Sequence, residues 1–201
     1  MESIHTLKQI KKRKEHMGRI KFFFESLKNI KSVGTVTRSS RYLCQAVVRE
    51  AALRNAKVVV ELGAGDGVMT RHLLKAMAPD AILFSFEINE LFCEQMRTIH
   101  DSRLKIINQS AEELPAVLEH AGLEKVDTIA SALPFSVFPE ELTHSIVSIS
   151  HQVLKPGGKF VQIHYSLKTR NIYRQIFGNV TTSMEVRNVP PAFVLTCTKS
   201  E

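Results

Sequence analysis

Residues 56–77 constrain the fold more than any other stretch of the chain. The run Ala56-Lys57-Val58-Val59-Val60-Glu61-Leu62 is short, apolar and β-branched, and it reads as a buried strand. It stops at Gly63-Ala64-Gly65-Asp66-Gly67, and residues 68–77 follow with Leu73, Leu74 and Met77 at helical spacing. Strand, glycine-rich turn and helix in that order form the first unit of a doubly wound α/β sheet. Glycines let the turn adopt positive φ and approach a ligand closely. The helix start beyond them offers unpaired N–H groups to a carboxylate or phosphate.

Three later runs repeat the strand pattern. Residues 81–87 end in Glu87, 20 residues after Gly67. A carboxylate at the tip of a second strand can accept both hydroxyls of a ribose, with Ile88 beside it. Residues 104–108 form a third strand, followed by Ser110-Ala111-Glu112, and residues 126–130 form a fourth, followed by Ser131-Ala132-Leu133-Pro134-Phe135. The glycine turn departs from the dinucleotide fingerprint, because Met69-Thr70 stand where another small residue belongs. It resembles instead motif I of the class I S-adenosylmethionine-dependent methyltransferases, E/D-x-G-x-G-x-G, with Glu61 to Gly67 filling every position. That resemblance implies a Rossmann-like α/β sheet with helices on both faces and S-adenosylmethionine as cofactor. The implied cofactor site comprises Glu61, Gly63, Ala64, Gly65, Gly67, Glu87, Ile88, Ser110, Ala111, Glu112, Ser131 and Ala132. Ser110 holds the position where the family usually has an adenine-contacting Asp, so Glu112 or backbone amides are the substitutes.

The acceptor side is set by the end of the fourth strand. Methyltransferases acting on adenine amines carry Asn/Asp-Pro-Pro-Tyr or Asn-Leu-Pro-Tyr there. This chain keeps Leu133-Pro134 and lacks the Asn/Asp. Three segments resemble the bacterial phospholipid N-methyltransferase family. Residues 33–43 follow its V-G-x-x-x-P-S-S-x-x-L motif, with Arg38 in place of proline. Residues 131–139 follow its S-G-L-P turn, with Ala132 in place of glycine. Residues 155–165 and 186–194 complete the match, the latter containing Arg187-Asn188-Val189-Pro190-Pro191-Ala192-Phe193-Val194. The resemblance implies stepwise methylation of phosphatidylethanolamine toward phosphatidylcholine, by a peripheral enzyme on the cytoplasmic face of the cell membrane. Tyr165 is then the candidate that orients the amine, and Ser40, Leu133, Pro134, Tyr165, Arg187 and Asn188 form the acceptor site, with Arg187 on the lipid phosphate. His164 points to the opposite strand face and is the weaker candidate. The plain alternatives are a rim tyrosine and a solvated arginine. An RNA adenine N-methyltransferase and an inactive cofactor-binding module are the rival functions.

Charge divides the chain. Residues 1–31 hold nine Lys/Arg and three acids, a net +6 of the chain's +7. Ile10, Met17, Ile20, Phe24, Leu27 and Ile30 fall on one helical face, with lysines around it. A basic amphipathic helix with adjacent phenylalanines reads as a docking element for anionic lipid. A helix packed on its own domain and an RNA-contacting arm are the alternatives, the latter less favoured because phosphate contacts do not call for Phe22 to Phe24. The domain division is 1–31 for this extension and 32–201 for the methyltransferase, expected as a monomer. No apolar run approaches the roughly 20 residues of a membrane span. The eight histidines include no HExxH and no Cys/His cluster, so no metal is expected. Three scattered cysteines, Cys44, Cys93 and Cys197, point to buried thiols in a reducing compartment.

Overall fold

The computed structural model describes residues 38–200. The basic segment 1–31, with the helix expected there, and residues 33–37 of the first acceptor-side motif lie outside them. Seven strands form one sheet in the order β3-β2-β1-β4-β5-β7-β6. The strands are β1 (Val58–Leu62), β2 (Ile82–Phe86), β3 (Leu104–Ile107), β4 (Val126–Ser131), β5 (Leu154–His164), β6 (Thr181–Glu185) and β7 (Ala192–Thr198). The first five are parallel, and β7 runs antiparallel to both of its neighbours. Every residue of β1 is buried, because a parallel central strand is covered on both faces.

The covering helices are α1 (Arg41–Ala51), α2 (Val68–Ala76), α3 (Glu90–Met96), α4 (Leu114–His120), α5 (Glu140–Val153) and α6 (Arg170–Phe177). On one face, Leu43, Cys44, Val47 and Ala51 of α1 and Leu73 and Leu74 of α2 pack with Val59, Leu83, Ala130, Val161 and Val194 of the sheet. On the other, the Phe160 ring stacks against Tyr173 and Phe177 of α6 at 5.9 and 5.8 Å. The four strands and the helix expected from residues 56–130 stand within a residue or two of their observed limits. All three cysteines are free and buried, and burial pushes the Cys44 and Cys197 thiols up to about 11 and about 12.

The two ends of the sheet differ in task. At the strand starts, Asp127 accepts the backbone N–H groups of Lys57 and Val58 at 2.9 and 2.8 Å and the Lys155 ammonium at 2.9 Å. One carboxylate thus ties β1, β4 and β5 together. The other end carries the glycine turn and the loops after β2, β4 and β5. Because β7 is antiparallel to β5, with Phe193 opposite His164, the 186–191 connection of the β6–β7 hairpin also rises at that end.

Candidate active site

Strand β1 pairs with β2 on one side and β4 on the other. The connections leave it in opposite directions, so a crevice opens beyond its carboxyl end, where ligands of such sheets bind. Gly63 and Ala64 both donate their N–H to the Phe86 carbonyl, at 2.9 and 3.1 Å. Gly63 has φ +78°, and a Cβ there would stand 3.0 Å from Leu133 Cδ2; only glycine lets the turn lie against the β4 end. Gly65 differs: at φ +56° its missing Cβ would meet nothing within 4 Å, so the turn presents open backbone. The Glu87 carboxylate is held over this turn. Its Oε2 accepts Gly65 N–H and its Oε1 accepts Asn89 N–H, both at 2.8 Å. Asn108, at the end of β3, donates to the Glu87 carbonyl at 3.0 Å.

Glu61 sits beneath the turn and is 1% exposed. Its Oε2 accepts the hydroxyls of Thr70 on α2 and Ser85 on β2, at 2.7 and 2.6 Å, while Oε1 is buried without a protein partner. Burial pushes its pKa up to about 7, against the opposing pull of those two hydroxyls. The unfolded chain releases this proton in the ordinary carboxylate range and the folded chain holds it to about 7. Stability therefore falls as pH rises through that window and levels off above it. Glu61→Gln cannot ionise, so urea unfolding of the cofactor-free protein should show that fall reduced, by up to about 3 kcal/mol. Parallel pH profiles for wild type and variant would contradict this.

Beyond β3, Ser110 caps the short turn Ala111–Glu113 by accepting Glu112 N–H at 3.3 Å. Glu112 accepts the Ser145 hydroxyl of α5 at 3.2 Å, and Ala111 is buried between them. Both polar side chains of this segment thus hold protein partners, with Ala111 as an apolar floor. Ile88 projects from the end of β2, partly exposed. Ala132 N–H donates to the Leu62 carbonyl at 2.9 Å, and Ser131 Oγ accepts Leu133 N–H at 3.4 Å. The cofactor-side residues expected from the sequence therefore line adjacent strand ends around one crevice.

On the acceptor side the structure brings distant segments together. Asn188 is fully buried. Its Oδ1 accepts Ser40 N–H at 2.9 Å, and its Nδ2 donates to the Pro190 carbonyl at 2.7 Å and reaches the Tyr165 hydroxyl at 3.4 Å. Ser40 Oγ meanwhile caps α1 by accepting Leu43 N–H at 3.2 Å. Tyr165 follows the end of β5 and is 43% exposed, so its ring borders the opening. Arg187 has a different partner from the lipid phosphate expected of it. Its Nε and Nη2 grip the Glu185 carboxylate at 2.8 and 2.9 Å, and its guanidinium lies 4.2 Å from the centre of the Tyr42 ring. The Arg187 guanidinium beside Glu185 holds that carboxyl at about 2. The pair is local, two residues apart where the chain turns just beyond β6, and Glu185 Oε1 also accepts Arg187 N–H at 3.0 Å.

One buried group was not singled out from the sequence. Gln162 lies opposite Ser131 in the β4–β5 register and donates Nε2–H to the Leu133 carbonyl at 2.9 Å. That carbonyl also accepts Phe135 N–H at 2.9 Å, so the Leu133-Pro134 turn is fixed from two sides. A polar residue between Val161 and Ile163 in a buried strand was the available sign. His164 faces the interior, bonds the Tyr173 hydroxyl at 2.7 Å, and is pushed by burial down to about 4. It is neutral at physiological pH and braces the β5–α6 corner.

A family profile described as a methyltransferase domain matches residues 59–158. The chain is also 33% identical over 179 residues to an ornithine lipid N-methyltransferase of Singulisphaera acidiphila, covering 88% of this chain and 93% of that one. The chain belongs to this bacterial lipid methyltransferase family. Solved structures with the same fold include a precorrin-6y C5,15-methyltransferase of Geobacter metallireducens, with TM-score 0.66, 14% identity, and coverage of 83% of this chain and 93% of that one. A 16S rRNA N2 G1207 methyltransferase of T. thermophilus, solved with AdoMet and guanosine, has TM-score 0.61, 20% identity, and coverage of 83% and 44%. The methyltransferase uses S-adenosylmethionine, and its residues fit that group. The turn at Gly65, where no Cβ obstructs approach, and the Glu87 carboxylate above it suit a ligand carrying ribose hydroxyls, and beneath the turn the buried Oε1 of Glu61 is an acceptor without a protein partner.

Proposed function

We propose that this methyltransferase transfers methyl groups to the primary amine of a membrane amino lipid. The observation that carries the reading is the junction at Asn188, where the start of α1, the end of β5 and the β6–β7 hairpin meet beside the crevice. An ornithine-type lipid is the first acceptor, supported by the similarity to the S. acidiphila protein over nearly the whole chain. Phosphatidylethanolamine, the acceptor implied by the sequence motifs, is the second. The Glu185–Arg187 pair bears on the choice, since a head group without a phosphate makes no demand on that guanidinium. The two lipids, presented separately in vesicles with labelled methyl donor, rank themselves by initial rate.

When bound, S-adenosylmethionine supplies an electrophilic methyl group to a neutral amine attacking in line. A primary ammonium resembles that of lysine, with pKa about 10.4, so it loses its proton before attack. The chain's own contribution is positioning and exclusion of water. Glu87 and the glycine turn hold the donor; the Leu133-Pro134 turn, fixed by Gln162, shapes the wall between donor and acceptor. Tyr165 hydroxyl, reached by Asn188, accepts an N–H of the amine and aims its lone pair. The basic segment 1–31 adds a contact with anionic lipid, which places the enzyme on a membrane surface. Tyr165→Phe is expected to lower kcat on amino lipid by about ten- to a hundredfold with the KM for the methyl donor unchanged. An unaltered kcat would make Tyr165 a rim residue only.

A further inference from the structure

We infer that the tip of the β6–β7 hairpin, residues 184–189, is a lipid-bilayer contact that seats the active-site end of the sheet on a membrane. This rests on the amino-lipid reading, although its test is separable from it. The large apolar side chains exposed among the described residues all stand at one end of the sheet. Leu91 lies beyond β2, Val137 beyond β4 and Leu167 beyond β5. Met184, Val186 and Val189 belong to the hairpin, and Val189 is 78% exposed. The pairing of Phe193 with His164 puts the hairpin tip beside the carboxyl end of β5, on the rim of the crevice. The opposite end, where Asp127 gathers the strand starts, exposes no such side chain among the described residues.

Charge agrees with apolarity. Arg187 stands exposed between Val186 and Val189, and Arg41 and Lys168 are exposed on neighbouring segments. The acid of the hairpin, Glu185, is buried against Arg187. The projecting surface of the hairpin itself is therefore apolar and basic, with the exposed acids of this end, Glu90 and Glu140, set apart beyond β2 and β4. That combination suits the interface of an anionic bilayer. RNA would match the cations but would gain nothing from Met184, Val186 and Val189. Seating this rim on a bilayer also places the crevice mouth at head-group depth, so an amino lipid reaches Tyr165 without its acyl chains leaving the membrane.

The chain contains no tryptophan, so Val189→Trp in the full-length protein is a single reporter. Vesicles of zwitterionic and anionic phospholipid in about a two-to-one ratio should shift its emission to the blue, and lipids brominated on their acyl chains should quench it. Emission unchanged by vesicles that still sediment the protein would overturn the proposal, since binding would then run through another segment. The same shift produced by RNA in place of vesicles would overturn it as well. Val186→Ser with Val189→Ser should weaken cosedimentation about tenfold, with cofactor-product affinity retained as evidence of folding. Undiminished cosedimentation would contradict the inference. Methyl transfer to lipid is scored separately in the same vesicles, so failure of the function is distinguishable from failure of the docking surface.

Discussion

Glu87→Ala is expected to weaken binding of S-adenosylhomocysteine about a hundredfold while leaving the protein folded. Two hydrogen bonds from ribose hydroxyls to an ionised carboxylate contribute about 1.5–3 kcal/mol each, less what water restores. A net loss of about 3 kcal/mol corresponds to roughly two factors of ten. Glu87 has a second task, because its two oxygens hold the N–H groups of Gly65 and Asn89. Both groups are partly exposed, so water replaces the carboxylate there and the fold survives. Glu87→Gln keeps an acceptor without the charge and should fall between the two. Calorimetric titration measures all three; affinity unchanged in the alanine variant would refute the ribose assignment.

Asn188→Ala should cut methyl transfer about a hundredfold with cofactor affinity intact. The amide connects Ser40 N–H, the Pro190 carbonyl and the Tyr165 hydroxyl from a fully buried position. Removing it leaves the Ser40 N–H and the Pro190 carbonyl, both only partly buried, without that partner, at about 1 kcal/mol each, and frees Tyr165 from its neighbour. A loss of about 2 kcal/mol in stability is therefore expected alongside the loss in rate. The two are separable by assaying well below the melting temperature, where the variant remains folded. If kcat on amino lipid is then unchanged, Asn188 is a structural tie and nothing more. Cofactor affinity falling together with rate would also contradict the division between donor and acceptor sides.

Strands β1, β2 and β4 were legible because each is a short, mostly buried run ending in a glycine turn, an acid or a Ser-Ala turn. Burial on both faces forces β1 to be continuously apolar, and the glycine turn after it has no alternative residue at Gly63, where Leu133 leaves no room. Strand β6 was not legible. Its sequence Thr-Thr-Ser-Met-Glu is largely exposed at the sheet edge, and pairing with β7, rather than any periodicity, makes it a strand. Helix α1 was hidden for a related reason: its N-cap at Ser40 was read as part of a substrate motif. Among site residues, the glycine turn and Glu87 follow from spacing alone. Asn188 and Ser40 came from motif resemblance, and their mutual hydrogen bond spans 148 residues. Glu185, two residues before Arg187, is a local partner that the spacing could have shown, whereas Tyr42 is far away in the sequence and no local pattern records its contact with Arg187.

The most direct measurement is the destination of a labelled methyl group. Full-length protein, isotopically labelled S-adenosylmethionine, vesicles containing an ornithine-type lipid and phosphatidylethanolamine, and total RNA are combined in one reaction, and lipid and nucleic acid are then extracted separately. The account predicts label on the amine nitrogen of an amino lipid, strongly reduced by Asn188→Ala and by Tyr165→Phe. Label recovered in RNA, or cofactor binding with no transfer to either lipid, would contradict it.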